Sequence, residues 1–441
     1  MLVSITIQVA SLDPLAVLES IFEPRERHVY AERPSLGWAI AGAESVMAFS
    51  ASGAGRFAAC QRFIDAALAD AVAVGEPDLP FGGPHFFAAF TFLDSVGDGE
   101  PFEAASVFVP RWQVARRDGR TTAVANLAVE GDSDVEAMAA KVLRAHAKFR
   151  SFDFSSPGFQ GTPAGLVAAV EDPDGRNRYE EAVRRALEAV ARGEFEKIVL
   201  ARAKDVRAPA PLHPLRMLNG LRQRFPDCSA FSVANGRGQS FIGASPERLV
   251  GVEDRVVLTE ALAGSAGRGA SASEDAALGS SLLASEKNLR EQRIVLDSIV
   301  RSLSPLGLEL KYGPRPVLRR LSNVQHLHTE VEAALPEGVT LLDMLGRLHP
   351  TPAVGGAPGA VAVPLIAGLE GFPRGLYGGA LGWIDSRGSG EFIVGLRSAL
   401  VDGASARMYA GAGIVAGSSP RAEFDETELK FSAMQDALLD A

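Results

Sequence analysis

Strand-forming runs in this chain come in close succession, with short turns between them. The runs at 230–233, 240–243, 248–252 and 255–258 leave no room for a helix between neighbours, and those at 377–384, 391–400 and 407–415 repeat the arrangement before the last helix. Strands joined by short turns pair antiparallel, because a parallel neighbour requires a crossover of a dozen residues or more. This predicts an α+β fold with large, mainly antiparallel sheets rather than a doubly wound parallel sheet. The chain has 441 residues, 47% of them apolar and 22% charged, enough for a sizeable core.

The first third mixes both element types. Val3, Ile5, Ile7 and Val9 alternate with polar residues, as in a half-covered strand. The runs 38–42 and 46–50 read as a hairpin around Gly42 and Ala43. Phe57, Cys60, Ile64 and Leu68 recur at helical spacing, giving an amphipathic helix over 55–74. Strands are expected at 85–93, 105–109 and 122–129, and Ser133 with Glu136 forms a capping box for a helix reaching about Lys148. No motif here carries chemistry. Residues 151–175, rich in Ser, Pro and Gly, mark the boundary between an N-terminal α+β region, 1–165, and a second region, 166–441. A helix follows around Tyr179–Val190, a strand at 197–201 and a long helix over 285–303.

The net charge of −10 and the lack of a basic block exclude the electrostatic footprint of a nucleic-acid binder. The two cysteines, Cys60 and Cys228, make neither a disulfide framework nor a zinc pattern, and read as small apolar residues. With no leader pattern and no apolar run of spanning length, a cytoplasmic protein without a membrane segment is expected.

Candidates for chemistry are few. Lys197 stands in an apolar strand, where burial disfavours its charge. Turned inward beside a cation, it is a neutral amine usable as a general base; turned outward, it is an ordinary strand lysine. Glu247 in GASPERL (243–249) is either a carboxylic acid with a raised pKa or a turn glutamate paired with Arg248. Ala263, Gly264 and Ser265 belong to a small-residue turn able to expose N–H groups. Glu291 is a metal ligand or the helical partner of Lys287. His326 meets a substrate or is a satisfied core histidine. Arg397, in an apolar strand, clamps a carboxylate or completes a buried salt bridge. Near the C-terminus, Gly411 and Gly413 let backbone approach an anion closely. Glu423 and Glu426 fall at i and i+3 of a helix starting near Arg421, with Lys430 one turn on. Carboxylates so placed suit a hard divalent cation, and a Glu426–Lys430 surface pair is the plain alternative.

Taken in order, these blocks resemble the chorismate-utilising enzymes: isochorismate, anthranilate, aminodeoxychorismate and salicylate synthases. The resemblance runs from about Asn177 to the C-terminus. It rests on KIVLAR (197–202), GASPERL (243–249), LAGS (262–265), SEKNLRE (285–291), NVQHLHTEV (323–331), LHPTPAVGGAP (348–358), GLYGGALGW (375–383) and AGAGIV (410–415) with the acidic helix behind it. It implies two large sheets stacked face to face with helices outside, the N-terminal part merged into them. It also implies Mg²⁺ held by Glu291 and Glu426 with Glu423 close by, and chorismate as substrate. Arg397, the backbone at Gly411 and Gly413, and Lys430 would then hold the enolpyruvyl carboxylate. Lys197 would be the base, Glu247 the acid, and His326, Tyr377 and Ala263–Ser265 would shape the ring site. Members that transfer ammonia typically carry glutamine at the position of Lys197, and aminodeoxychorismate synthases often carry a nucleophilic lysine at that of Ala263. Lysine and alanine here imply a water nucleophile and no glutaminase subunit; a monomer is expected. The segment HPTPAV (349–354) is similar to isochorismate synthases, of the menaquinone type when Tyr377 and Leu396 are added. A salicylate synthase, an inactive chorismate- or partner-binding relative and a glutaminase-dependent synthase are the alternatives. Gln292, where many relatives have histidine, departs from the pattern.

Overall fold

In Leu2–Val9 buried side chains alternate with partly buried ones, the mark of a strand more covered on one face, and it pairs antiparallel with Arg120–Ala128. Among the described residues such pairings build a 13-stranded and a 10-stranded sheet. The computed structural model describes residues 1–150, 168–170, 175–322 and 324–439. The expected boundary at 165/166 lies outside the described residues. Among the described residues all the strand pairs are antiparallel except Leu2–Val9 with Val72–Gly75.

Both sheets run through early and late parts of the chain. Ser229–Ala234 pairs with His28–Arg33 in the larger sheet, and Ala380–Asp385 pairs with His85–Phe90 in the smaller. Their inner faces meet through Phe231, Phe241 and Tyr409 from the larger and Ala89, Leu381 and Ile393 from the smaller. Helices close the outer faces. Leu215, Leu218 and Leu221 of Pro214–Arg224 pack on the larger sheet, and Val295, Ile299 and Leu303 of Glu286–Leu303 on the smaller. Among the described residues no helix is long and apolar enough to cross a membrane. Cys60 and Cys228 are buried free thiols.

Four expected elements are corrected, and two of the corrections have one cause. Residues 38–50 are not a hairpin: Trp38–Ala43 lies in the larger sheet and Met47–Ala51 in the smaller. Residues 391–400 are not one strand: Gly390–Val394 belongs to the smaller sheet and Ser398–Asp402 to the larger. An apolar run that changes sheets keeps its hydrophobic pattern, because both of its halves are buried. The LAGS segment is no turn. It lies inside the long strand Val256–Gly267, with a register shift between Ala263 and Ser265 where Gly264 takes φ 77°. The helix expected over 55–74 stops at Ala69.

Candidate active site

The site lies where the chain passes between sheets. Gln239–Ser245 belongs to the larger sheet and Arg248–Glu253 to the smaller, so Glu247 stands on the crossing. Arg397 stands on the return crossing, between Gly390–Val394 and Ser398–Asp402, rather than inside a strand. The two crossings are tied together. Val394 N donates to Glu247 O at 3.2 Å, Ala244 N to Arg397 O at 3.1 Å, and Ser245 Oγ to Val394 O at 2.6 Å. Two groups far apart in sequence are thus fixed relative to each other. Arg397 takes φ 46°, a left-handed conformation that a side chain adopts at a cost and that only surrounding structure sustains. Gly243 accommodates it, since a Cβ there would come within 2.7 Å of the Arg397 carbonyl.

A cavity opens between the sheets at this point. Of the residues singled out by sequence, Glu247, Ala263, Gly264, Ser265, Glu291, His326, Tyr377, Arg397, Gly411, Gly413, Glu426 and Lys430 line it. Lys197 and Glu423 do not; both are buried one layer behind. Lys197 points inward, and its neighbour is an anion rather than the cation expected: Nζ lies 2.8 Å from Glu291 Oε1, without hydrogen-bond alignment. Glu291 reaches that place because it continues the buried helical stripe of Val295 and Ile299, so it is not the partner of Lys287. A Cβ at Gly413 would overlap Glu291 Oε1 and come within 3.0 Å of Lys197 Cε, so glycine at 413 leaves room for the Lys197–Glu291 pair. Gly411 does the same for the Tyr377 hydroxyl. Both glycines lie within the strand Ser405–Val415, where they make room rather than form an anion-binding turn.

Glu247 has no ion pair to Arg248, which instead meets Glu391 at 2.8 Å. Burial, then the charge of Glu260, pushes the Glu247 carboxyl up to about 8, against the pull of Lys197, Arg319 and Lys430. The cavity wall also holds a connected chain. Arg397 Nη2 donates to His326 Nε2 at 3.3 Å, which makes Nδ1 the protonated nitrogen, and Nδ1–H donates to Ser265 Oγ at 3.1 Å. The Ser265 hydroxyl in turn bonds the Glu426 carboxylate. Burial and the nearby Arg397 hold His326 well below the ordinary histidine range, so it stays neutral. Arg397 is buried, with Cys228 Sγ at 3.6 Å and His326 as its side-chain partners. Among the described residues it has no salt-bridge carboxylate, so its charge is available to an anion in the cavity.

Glu291, Glu423 and Glu426 occupy one corner, and the charges of all three act on Lys287. Lys287 Nζ meets Glu423 Oε1 at 2.5 Å, and Lys430 Nζ meets Glu426 Oε1 at 2.8 Å and Gly411 O at 2.8 Å. The pair read as a surface contact is therefore part of the cavity wall. Burial and then the Glu426 charge raise the Glu423 pKa. Burial works to raise that of Glu426 too, but Lys430, Lys287 and Ser265 outweigh it, and the carboxyl is held below its ordinary value. Among the described residues no three metal-binding side chains stand at ligand spacing. The donor set is nevertheless all oxygen and anionic, as a hard divalent cation requires, with lysines supplying the counter-charge. Sequence reasoning missed Lys287 in its bridging place and Tyr409, which stacks on Tyr377 at 5.2 Å. Tyr409 was available from period two: it shares a strand face with Gly411 and Gly413.

A family model for chorismate binding enzymes matches residues 1–439. The chain belongs to this family. The match takes in the N-terminal part, beyond the span the motifs alone suggested. This chorismate binding enzyme is similar to the salicylate biosynthesis isochorismate synthase of Pseudomonas aeruginosa, with 35% identity over 441 residues, 99% of this chain and 90% of that protein. It is similar to the isochorismate synthase MenF of Bacillus subtilis, with 34% identity over 359 residues, 81% of this chain and 75% of that protein. Among solved structures, MenF, the menaquinone-specific isochorismate synthase from Escherichia coli, aligns with a TM-score of 0.81 at 27% identity, covering 100% of this chain and 95% of that one.

Proposed function

We propose that this chain is an isochorismate synthase, converting chorismate to isochorismate by adding water at C2 with loss of the C4 hydroxyl. The observation that carries this reading is a buried lysine, Lys197, one layer behind a cavity that is lined by a glutamic acid, Glu247, whose carboxyl is pushed up to about 8. Addition of water needs a proton taken on one face of the ring and a proton delivered on the other, and Glu247 remains protonated near neutral pH for the second task. Ammonia would need no such base.

Arg397 receives the enolpyruvyl carboxylate, its guanidinium aimed by His326 and Cys228. Lys430, tied to Gly411 O, adds positive charge on the same side. Tyr377, stacked on Tyr409, bounds the ring site with Ala263 and Gly264. Glu291 and Glu426, with Glu423 behind them, would hold Mg²⁺, which when bound neutralises and anchors the ring carboxylate. Lys197 Nζ accepts a proton from the water whose oxygen bonds to C2. The ring double bonds shift, the C4–O bond breaks, and Glu247 delivers its proton to the departing oxygen, so that one water enters and one leaves. The chain acts alone in the cytoplasm, without a glutaminase subunit.

Turnover in ¹⁸O-labelled water with Mg²⁺ tests this. One ¹⁸O should appear at C2 of isochorismate for each turnover. Isochorismate without label would overturn the addition of solvent water.

A further inference from the structure

Behind Glu247 lies a second buried carboxylate that the mechanism above does not use. Glu260, on Val256–Gly267, is buried and accepts three hydrogen bonds from three directions. Its Oε1 takes the backbone N–H of Arg248 at 2.7 Å, and its Oε2 takes Arg319 Nη1 at 2.8 Å and His328 Nε2 at 2.9 Å. The first of these bonds is made to the peptide that follows Glu247, at the crossing between sheets. Arg248 itself is drawn away to Glu391, so its side chain does not compete for either carboxyl.

We propose that Glu260 is a positioning residue for Glu247: its carboxylate anchors the Glu247–Arg248 peptide and sets a permanent negative charge behind the acid. This rests on the reading of Glu247 as the proton donor. The crossing is held on one side by Val394 N to Glu247 O, and the ladder beside it shifts register between Arg248 and Val250, so the charge-assisted bond from Arg248 N to Glu260 adds a second restraint there. Glu260 stays ionised throughout the working range: although burial opposes it, His328, Arg319 and the Arg248 amide bring its carboxyl down to about 2. A like charge at short range then favours the neutral form of its neighbour, and Glu260 is the largest charged contributor acting on Glu247. The other charges facing Glu247 are Lys197, Arg319 and Lys430, all opposed to it. Glu260 also acts on Arg33 and Arg248, with Glu391 and Glu330 sharing their charge.

The test is the pH dependence of kcat/KM for Glu260→Gln beside Glu247→Gln, both in the full chain with Mg²⁺. Glutamine at 260 keeps an acceptor for Arg248 N–H but removes the charge. The alkaline limb, set by loss of the Glu247 proton, should then move to lower pH by about one pH unit, a change that merely loosened packing would not produce. An unmoved limb, or one moved upward, overturns the proposal. If Glu247→Gln keeps wild-type activity, the donor assignment itself falls, whatever Glu260→Gln does. Should Glu260→Gln fail to fold, Glu260→Asp retains the charge but is too short to hold the amide. It should lower kcat several-fold with KM near wild type and the limb unmoved, and wild-type kcat in that variant overturns the anchoring role.

Discussion

Where residues 29–40 of the larger sheet face 86–108 of the smaller, the side chains in contact are Val29, Trp38, Ile40, Phe87 and Phe108. Farther along the same interface the buried groups are Lys197, Glu247, Glu291, His326 and Arg397. Both regions are enclosed by the same two sheets. The aromatic region gains free energy from burial, roughly 25 cal/mol per Å² of apolar surface. The polar region loses it, because each charge or polar head must be compensated by a neighbour. Its fully compensated members, such as Glu426 with Lys430, keep their charge. Glu247, with an anion as its strongest charged neighbour, stays protonated instead. The contrast separates positions chosen for stability from positions kept in spite of it.

The largest effect expected is on chemistry in the polar region. Lys197→Gln should lower kcat per folded molecule by about 10²–10⁴-fold, the usual worth of a general base, and lower the melting temperature as well, because Glu291 loses its buried partner. Steady-state kinetics beside thermal denaturation reads both, and wild-type turnover would remove the base assignment. In the aromatic region the expectation differs. Phe87→Ala should cost about 3–5 kcal/mol of stability and leave kcat per folded molecule intact. Denaturant titration with an activity assay on the folded fraction checks it, and a loss of kcat without a loss of stability would erase the contrast.

Glu247 links both quantities. In the folded chain its carboxyl stays neutral up to about 8, whereas in the unfolded chain it ionises near its ordinary value of 4.5. Its contribution to stability is therefore full below that lower value and is lost as pH rises through the higher one. Glu247→Gln removes the loss, so this inactive variant should melt above the wild type at pH 8 and level with it at pH 4. A lower melting temperature at pH 8 would mean that the carboxyl is compensated after all. The smallest effect is expected from Ser265→Ala, which cuts the path from His326 to Glu426 without removing a charge. It should weaken the response to Mg²⁺ by about tenfold, as outer groups around a metal commonly do, and an unchanged Mg²⁺ titration would exclude the link.

Much of this was legible in the sequence. Short turns between strand runs required antiparallel sheets, and the motif blocks pointed to twelve residues that line one cavity. What escaped notice was where the chain changes sheets. Hydrophobic alternation reports burial, not which sheet does the burying, so 38–50 looked like a hairpin and 391–400 like one strand. Arg397 was placed inside a strand for the same reason, although its left-handed backbone marks the crossing. Ion-pair partners were equally hidden. Spacing along a helix suggested Glu291 with Lys287, whereas Glu291 meets Lys197 and Lys287 meets Glu423, contacts between elements that no local pattern encodes.

The most direct measurement is to incubate the purified chain with chorismate and Mg²⁺, with and without ammonium, and separate the products by chromatography. Isochorismate as the sole product, at a rate indifferent to ammonium, is the predicted result. Anthranilate or an amino-chorismate formed only with ammonium, or salicylate accompanied by pyruvate, would contradict it.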